Sequence, residues 1–249
     1  MTPFEDQASP PPRQHKTWSP SKLFQWEGCA AQAKYKYLDK LPDPGGPALV
    51  RGSNMHKTVE KFITGEIAEL CAETKASLPY IQPFRDGFKN GTAFAELELA
   101  FKEDWTLCHW MDPYVWVRFK LDALLFANGV LKVVDWKSGA LKADSSSQYQ
   151  NQLELYTLAL LEALRQEPKW AGSFGKDVKV TSELWFLDHQ KPVPSAGGPV
   201  GEAERSALRA KWQERVGRML SDTIHAPTPS FKCKWCPFRK GVGPCKFGG

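Results

Sequence analysis

The 249 residues carry 33 basic and 28 acidic side chains, a net charge of +5 at pH 7 that permits a polyanionic partner without requiring one. A chain of this length buries a full core, as one large domain or two small ones. No apolar run is long enough to cross a bilayer and no signal peptide opens the chain, so a membrane or secreted protein is not expected. The six cysteines then point to a cytoplasmic protein whose thiols are reduced or bind metal.

Residues 1–17 are poor in apolar side chains, hold Pro10, Pro11 and Pro12, and read as a disordered leader. Order is expected from Trp18-Ser19-Pro20-Ser21, with Ser19 as N-cap and Pro20 in the first helical position. Leu23, Phe24, Trp26, Ala30, Ala33, Tyr37 and Leu38 extend an apolar stripe to about Leu38, and Cys29 falls on this helix. After the loop from Pro42 to Pro47, Met55, Val59, Phe62, Ile63, Ile67 and Leu70 predict a second helix. His56 sits near its start, four residues after Gly52, where it is open as a surface or capping residue or as a ligand. Thr92 to Phe101 alternate as a strand, on which Glu96 or Glu98 could reach a metal or simply face solvent. A weak strand around Cys108 follows.

Two strand-like runs then each deliver a carboxylate, Asp122 within Phe119–Phe126 and Asp135 within Val130–Lys137. The Ala127-Asn128-Gly129 turn between them predicts an antiparallel hairpin on which the two carboxylates face one another. Facing carboxylates repel unless a cation sits between them, and hard oxygen ligands suit Mg²⁺ or Mn²⁺. Lys137, two residues on, emerges on the same face as Asp135. Alone, Asp135-Trp136-Lys137 is equally the pattern of a solvated strand end.

A polar loop from Ala143 to Ser147 leads into a largely apolar helix over about 148–163, with Gln152 and Tyr156 on one face. A loop near Trp170, a strand over 178–188, a Pro/Gly loop over 192–201 and a helix over 202–221 rich in Arg and Lys follow. From Phe231 the tail holds Lys232, Lys234, Arg239, Lys240 and Lys246, no acidic residue, and interleaved Phe231, Trp235, Phe238 and Phe247. Cys233, Cys236 and Cys245 form C-x2-C-x8-C in a segment too short and glycine-rich for a core of its own. Such spacing is a strong ligand signal that lacks a fourth member, for which Cys29, Cys71 and Cys108 are the candidates.

The order of Gly52-x-x-x-His56, Glu96, Asp122, Asp135-Trp136-Lys137 and Gln152-x-x-x-Tyr156 resembles the PD-(D/E)XK nuclease superfamily. Its RecB-like branch, with the AddB nuclease domain and the CRISPR-adaptation nucleases, is the most similar. Trp18-Ser-Pro-Ser-Lys-Leu, followed by Cys29 and Tyr35, resembles the opening of the cluster-bearing members. Two departures stand beside the match: Phe119-Lys120 precede Asp122 where the family often has glycine, and the last cysteine gap is longer than is common in AddB-like proteins.

The resemblance implies an α/β fold with a restriction-endonuclease-like core, its mixed central sheet flanked by helices and its termini clamped by a cysteine-ligated cluster. A nuclease core over 18–222 and a cysteine segment over 223–249, packed on the first helix, are the expected divisions. His56, Asp122 and Asp135 are implied as ligands of Mg²⁺ or Mn²⁺. Lys137 would position water, while Gln152 and Tyr156 would orient Lys137 or the DNA backbone. Cys29, Cys233, Cys236 and Cys245 would hold a 4Fe–4S cluster, with zinc the alternative for four thiolates. Lys234, Trp235, Arg239 and Lys240, with the basic helix, would contact DNA through phosphates and stacking. The expected activity is exonucleolytic cleavage of DNA ends or single strands in recombination, repair or DNA processing, beside a recombination or helicase partner. A non-catalytic metal-clamped DNA-binding protein is the alternative, and an iron–sulfur electron carrier a weaker one that leaves the carboxylate–lysine set unexplained.

Overall fold

The hairpin is the centre of a six-stranded sheet. In a computed structural model, which describes residues 14–141, 146–167, 170, 178–196 and 201–248, strands β1 (Ala93–Phe101), β2 (Leu107–Cys108), β3 (Val117–Ala127), β4 (Val130–Lys137), β5 (Lys179–Phe186) and β6 (Lys191–Pro194) lie in the order β2-β1-β3-β4-β5-β6. Only β4 and β5 run parallel, in register from Val130↔Lys179 to Lys137↔Phe186. Asn128 and Gly129 both have positive φ (53° and 73°), as a two-residue hairpin turn matched to strand twist requires. Residues 192–194, expected in a loop, belong to the edge strand β6; Pro192 and Pro194 leave it unable to pair outward along its whole length.

The helices are α1 (Pro20–Gly28), α2 (Ala30–Ala33, running into a π-turn over Lys34–Leu38), α3 (Pro47–Thr64), α4 (Leu78–Lys89), α5 (Ser146–Gln166) and α6 (Glu202–Ser221). The first expected helix is therefore broken. Cys29 is extended (φ −166°, ψ 107°), so it stands between α1 and α2 rather than on a helix. α3 ends at Thr64, short of Ile67 and Leu70, because Gly65 takes the left-handed C-cap conformation (φ 85°) and returns its N–H to Phe62 O. α4 was absent from the sequence expectation: Pro79 and Pro83 mask its apolar spacing, yet Ile81 and Phe84 are fully buried. Of the expected leader, residues 1–13 lie outside the described residues, as do 142–145 of the polar loop, 171–177 of the loop after Trp170, and 197–200; His15 is buried, its ring edge-on to His225 at 5.7 Å. No helix among the described residues is long and apolar enough to cross a membrane.

By internal contacts the chain forms two compact units. One comprises Thr17–Pro20 and Pro44–Gln213 and contains the sheet. On one face of it Met55, Val59, Phe62 and Ile63 of α3 and Ile81 and Phe84 of α4 pack on Ala123, Val134 and Trp136. On the other, Leu153 of α5 packs on Leu184 and Phe186. Trp18 joins beside β3, giving its N–H to Trp116 O and accepting from Arg118 N, and enters an aromatic cluster with Trp105, Trp116 and Phe119. The second unit comprises, among the described residues, 14–16, Ser21–Asp43 and 214–248. In it Trp26 Nε1 donates to Asp222 Oδ2 (2.8 Å), Arg215 pairs with Glu27, and buried Phe238 meets Tyr35 edge-on at 5.6 Å.

Gly87 marks how closely α4 lies on the sheet: a Cβ there would stand 2.8 Å from Leu125 Cδ1 and 3.0 Å from Ala93 Cβ. Overpacking costs about 1–3 kcal/mol, against which alanine's helix propensity returns about 1 kcal/mol. Gly87→Ala is expected to lower the urea midpoint with an unchanged m-value; a raised midpoint would show that the contact yields.

Candidate active site

The β3–β4 ladder stops at Ala123↔Val134, one step short of the two carboxylates. There the Asp122 side chain replaces a backbone acceptor: its Oδ2 takes the Trp136 N–H at 2.8 Å. The same oxygen lies 3.2 Å from His56 Nδ1, so α3 reaches the end of the hairpin. Burial, then the Asp135 charge, raises the Asp122 pKa, opposed by the hydrogen bond and charge of His56. Burial alone would lower the His56 pKa, but Asp122 raises it above the ordinary value.

Asp135 is 5 % exposed. Its Oδ1 accepts from Gln152 Nε2 at 2.8 Å and from Tyr156 O–H at 3.0 Å, and Gln152 also donates to the Tyr156 oxygen at 2.7 Å. One helical turn separates the two residues on α5, so both reach a single oxygen. They hold Asp135; neither hydrogen-bonds Lys137. Burial, then the carboxylates of Asp135 and Asp122, raises the Tyr156 pKa far above the usual phenol value, which keeps its O–H a donor. The other oxygen, Oδ2, forms an ion pair with Lys137 Nζ at 2.7 Å. Burial lowers the Lys137 pKa, but Asp135 more than offsets this and the ammonium is retained.

The structure thus brings His56, Asp122, Asp135, Lys137, Gln152 and Tyr156 to the place where the β3–β4 pairing stops, midway along β3 and near the end of β4. Glu96 goes elsewhere: at φ 53° on β1 it forms an ion pair with Lys120, while Glu98 is exposed. The Gly52-x-x-x-His56 pattern has a steric reason, since a Cβ at Gly52 would lie 2.7 Å from Ser138 Oγ, immediately after Lys137. Arg51 and Asp188, joined by a forked ion pair beside Gly139, also lie here and escaped the sequence reading. Neither stood in a spacing pattern, and Asp188 follows a strand as turn aspartates commonly do.

Cys29, Cys233, Cys236 and Cys245 lie in the other unit and line one pocket with Tyr35 and Arg239. Thr228 N–H points to Cys29 Sγ (3.5 Å) and Ser230 N–H to Cys233 Sγ (3.3 Å). Burial, then the neighbouring cysteines, raises the Cys236 thiol pKa. All six cysteines are free, and Cys71 and Cys108 belong to the sheet unit. Among the described residues no group of three or more His, Cys, Asp or Glu that could hold a metal ion is found, at the cysteines or at the carboxylates.

The expected DNA contacts divide. Trp235 is exposed, with Lys234 Nζ 4.0 Å from its ring centre, and Lys240 is exposed. Arg239 instead turns inward and donates to Cys236 O at 3.1 Å. The basic face of α6 is matched by carboxylates: Arg205 and Arg209 by Glu162 and Glu202, Lys211 by Glu154, Arg215 by Glu27 and Arg218 by Glu214. Paired cations release fewer counterions on meeting phosphate than free ones.

No curated protein matches the sequence. Among solved structures, the crystal structure of SSO0001 is similar at 16% identity over 94% of this chain and 89% of that one, with a TM-score of 0.48. The family model of the PD-(D/E)XK nuclease superfamily matches residues 17–240, a span that contains every member of the constellation where β3 and β4 part. The chain belongs to the PD-(D/E)XK nuclease superfamily.

Proposed function

We propose that this chain is a divalent-metal-dependent deoxyribonuclease of the RecB-like branch, acting as an exonuclease on DNA ends or single strands. The observation that carries the reading is the convergence of the buried Asp135, Asp122, the His56 imidazole and the Lys137 ammonium, with the Asp122 pKa raised by burial and then by the Asp135 charge. Two neighbouring carboxylates away from water repel one another, and a hard cation held between them relieves that repulsion. His56, Asp122 and Asp135 would hold Mg²⁺ or Mn²⁺, with a backbone carbonyl near Trp136. When bound, the ion supplies Lewis-acid polarisation of a phosphate and lowers the pKa of water. Gln152 and Tyr156 saturate Asp135 Oδ1 and so fix the orientation of Oδ2. Lys137 contributes a positive charge against the phosphate and a donor that orients water. Trp235, Lys234 and Lys240 offer a stacking face and phosphate contacts to a single strand. Recombination, repair or DNA processing is the setting that fits this activity.

Asp135→Ala and Lys137→Ala are expected to lower Mn²⁺-dependent cleavage of end-labelled linear DNA by about 10²-fold or more, with folding and DNA affinity near wild type. A Lys137→Ala protein that cuts at the wild-type rate would overturn the active-site assignment. Wild-type protein that binds DNA but never cuts it would favour the non-catalytic alternative.

The four thiols around one pocket support the second part of the reading, a 4Fe–4S cluster on Cys29, Cys233, Cys236 and Cys245. Soft thiolates alone suit a cluster or zinc, and backbone N–H donors to two of the sulfurs suit an anionic centre. Anaerobically purified protein is expected to be brown with about four irons per chain. Cys29→Ala should lose the iron and solubility as completely as Cys233→Ala, whereas Cys71→Ala should do neither. Colourless protein with one zinc would exclude the cluster.

A further inference from the structure

Two consecutive residues of α3, Arg51 and Gly52, are tied to the two consecutive residues that follow Lys137. Gly52 lies against Ser138, closely enough that a Cβ would be 2.7 Å from its Oγ. Arg51 is joined to Gly139 through Asp188. The Asp188 carboxylate accepts the Gly139 N–H at 2.5 Å, Arg51 Nη1 at 3.0 Å and Arg51 Nη2 at 2.6 Å, while Arg51 Nε donates to Glu73 at 2.8 Å. Gly139 has φ 91°, a conformation that L side chains rarely adopt, so its N–H is turned toward Asp188 by a residue suited to the turn. Asp188 is itself held, because Leu187 N–H donates to Lys137 O at 2.9 Å and carries the β4–β5 pairing one step past Lys137↔Phe186.

We infer that Asp188 is a positioning residue: with Arg51 and Gly139 it fixes the start of α3 against the exit of β4 and so sets His56 relative to Asp122 and Asp135. His56 is four residues beyond Gly52, about one helical turn, and a helix transmits such a constraint rigidly. Stability alone does not account for the arrangement. The Arg51 side chain is 40% exposed and that of Asp188 21%, and ion pairs this open contribute little to folding. A forked guanidinium–carboxylate contact does, however, define direction as well as distance. Groups that orient ligands from behind typically change metal affinity or activity by about 10–100-fold when removed.

The inference rests on the nuclease reading, so its test carries controls for that reading. Mn²⁺ binding by calorimetry, and kcat and KM on linear DNA, are measured for wild type, Asp135→Ala, Asp188→Ala, Arg51→Met and the double variant. Asp188→Ala is expected to keep a thermal midpoint within a few degrees of wild type, to weaken Mn²⁺ binding and lower kcat by about 10–100-fold, and to leave KM unchanged. Arg51→Met should act in the same direction, and the double variant should be no worse than Asp188→Ala, because the two act as one unit. Wild-type Mn²⁺ binding and kcat in both single variants, or fully multiplicative losses in the double variant, would overturn the inference while leaving the nuclease reading intact. Wild-type protein whose Mn²⁺ binding is absent, or unchanged by Asp135→Ala, would instead overturn the nuclease reading. If Asp188→Ala does not fold, Arg51→Met, which keeps the Asp188–Gly139 hydrogen bond, decides alone: about a tenfold weaker Mn²⁺ site sustains the inference and a wild-type site ends it.

Discussion

Two carboxylates buried side by side are an electrostatic liability, and the architecture around β3 and β4 is arranged to contain it. Asp122 and Asp135 stand just past the last paired residues of the hairpin, and burial with the Asp135 charge raises the pKa of Asp122. Each is supplied with donors from a different direction. Asp122 draws on α3 and on a backbone N–H of the neighbouring strand; Asp135 draws on α5 and on Lys137. Asp135 Oδ2 faces the Lys137 ammonium and Asp122 Oδ2 the His56 imidazole, and two neighbouring carboxylates of this kind favour a hard cation between them.

The layered core explains how these donors meet. α3 and α5 pack on opposite faces of the sheet, so their side chains converge where two neighbouring strands part. The early stop of the β3–β4 ladder creates such a place. Ala123, Val134 and Trp136 anchor one face and Leu184 and Phe186 the other, which leaves the intervening polar positions where the strands part to the site. Burial of the apolar neighbours thus holds polar groups whose mutual repulsion would otherwise spread them.

The cysteine-bearing unit follows a different logic. Its tail leaves Phe231, Trp235 and Val242 exposed and buries Phe238 against Tyr35. Gly243 and Gly248 approach the backbone of Phe238 and Cys233 too closely for any Cβ, so the knuckle is shaped by backbone turns around the thiols. A segment built this way has little hydrophobic stabilisation of its own. Ligation by Cys29 would close a loop of nearly the whole chain and restrict the unfolded state accordingly.

The hairpin, the α5 stripe, the C-terminal cysteine spacing and the identity of the carboxylate–lysine set were legible in the amino-acid sequence, because each is a local pattern: period two, period 3.6, a two-residue turn, a ligand interval. α4 was not, since Pro79, Pro83 and Gly87 are poor local signals for a helix that tertiary packing nonetheless selects. Nor was the break at Cys29, where one extended residue interrupts an otherwise continuous apolar stripe. Charge was misleading on α6, because a run of arginines is visible in sequence while the glutamates that neutralise them come from distant positions. By itself the sequence determined which residues were available for the chemistry and on which strands and helices most of them would sit. Only the tertiary structure decided that Gln152 and Tyr156 hold Asp135 rather than Lys137, that Arg239 turns inward, and that Asp188 braces α3, because each depends on distance between segments far apart along the chain.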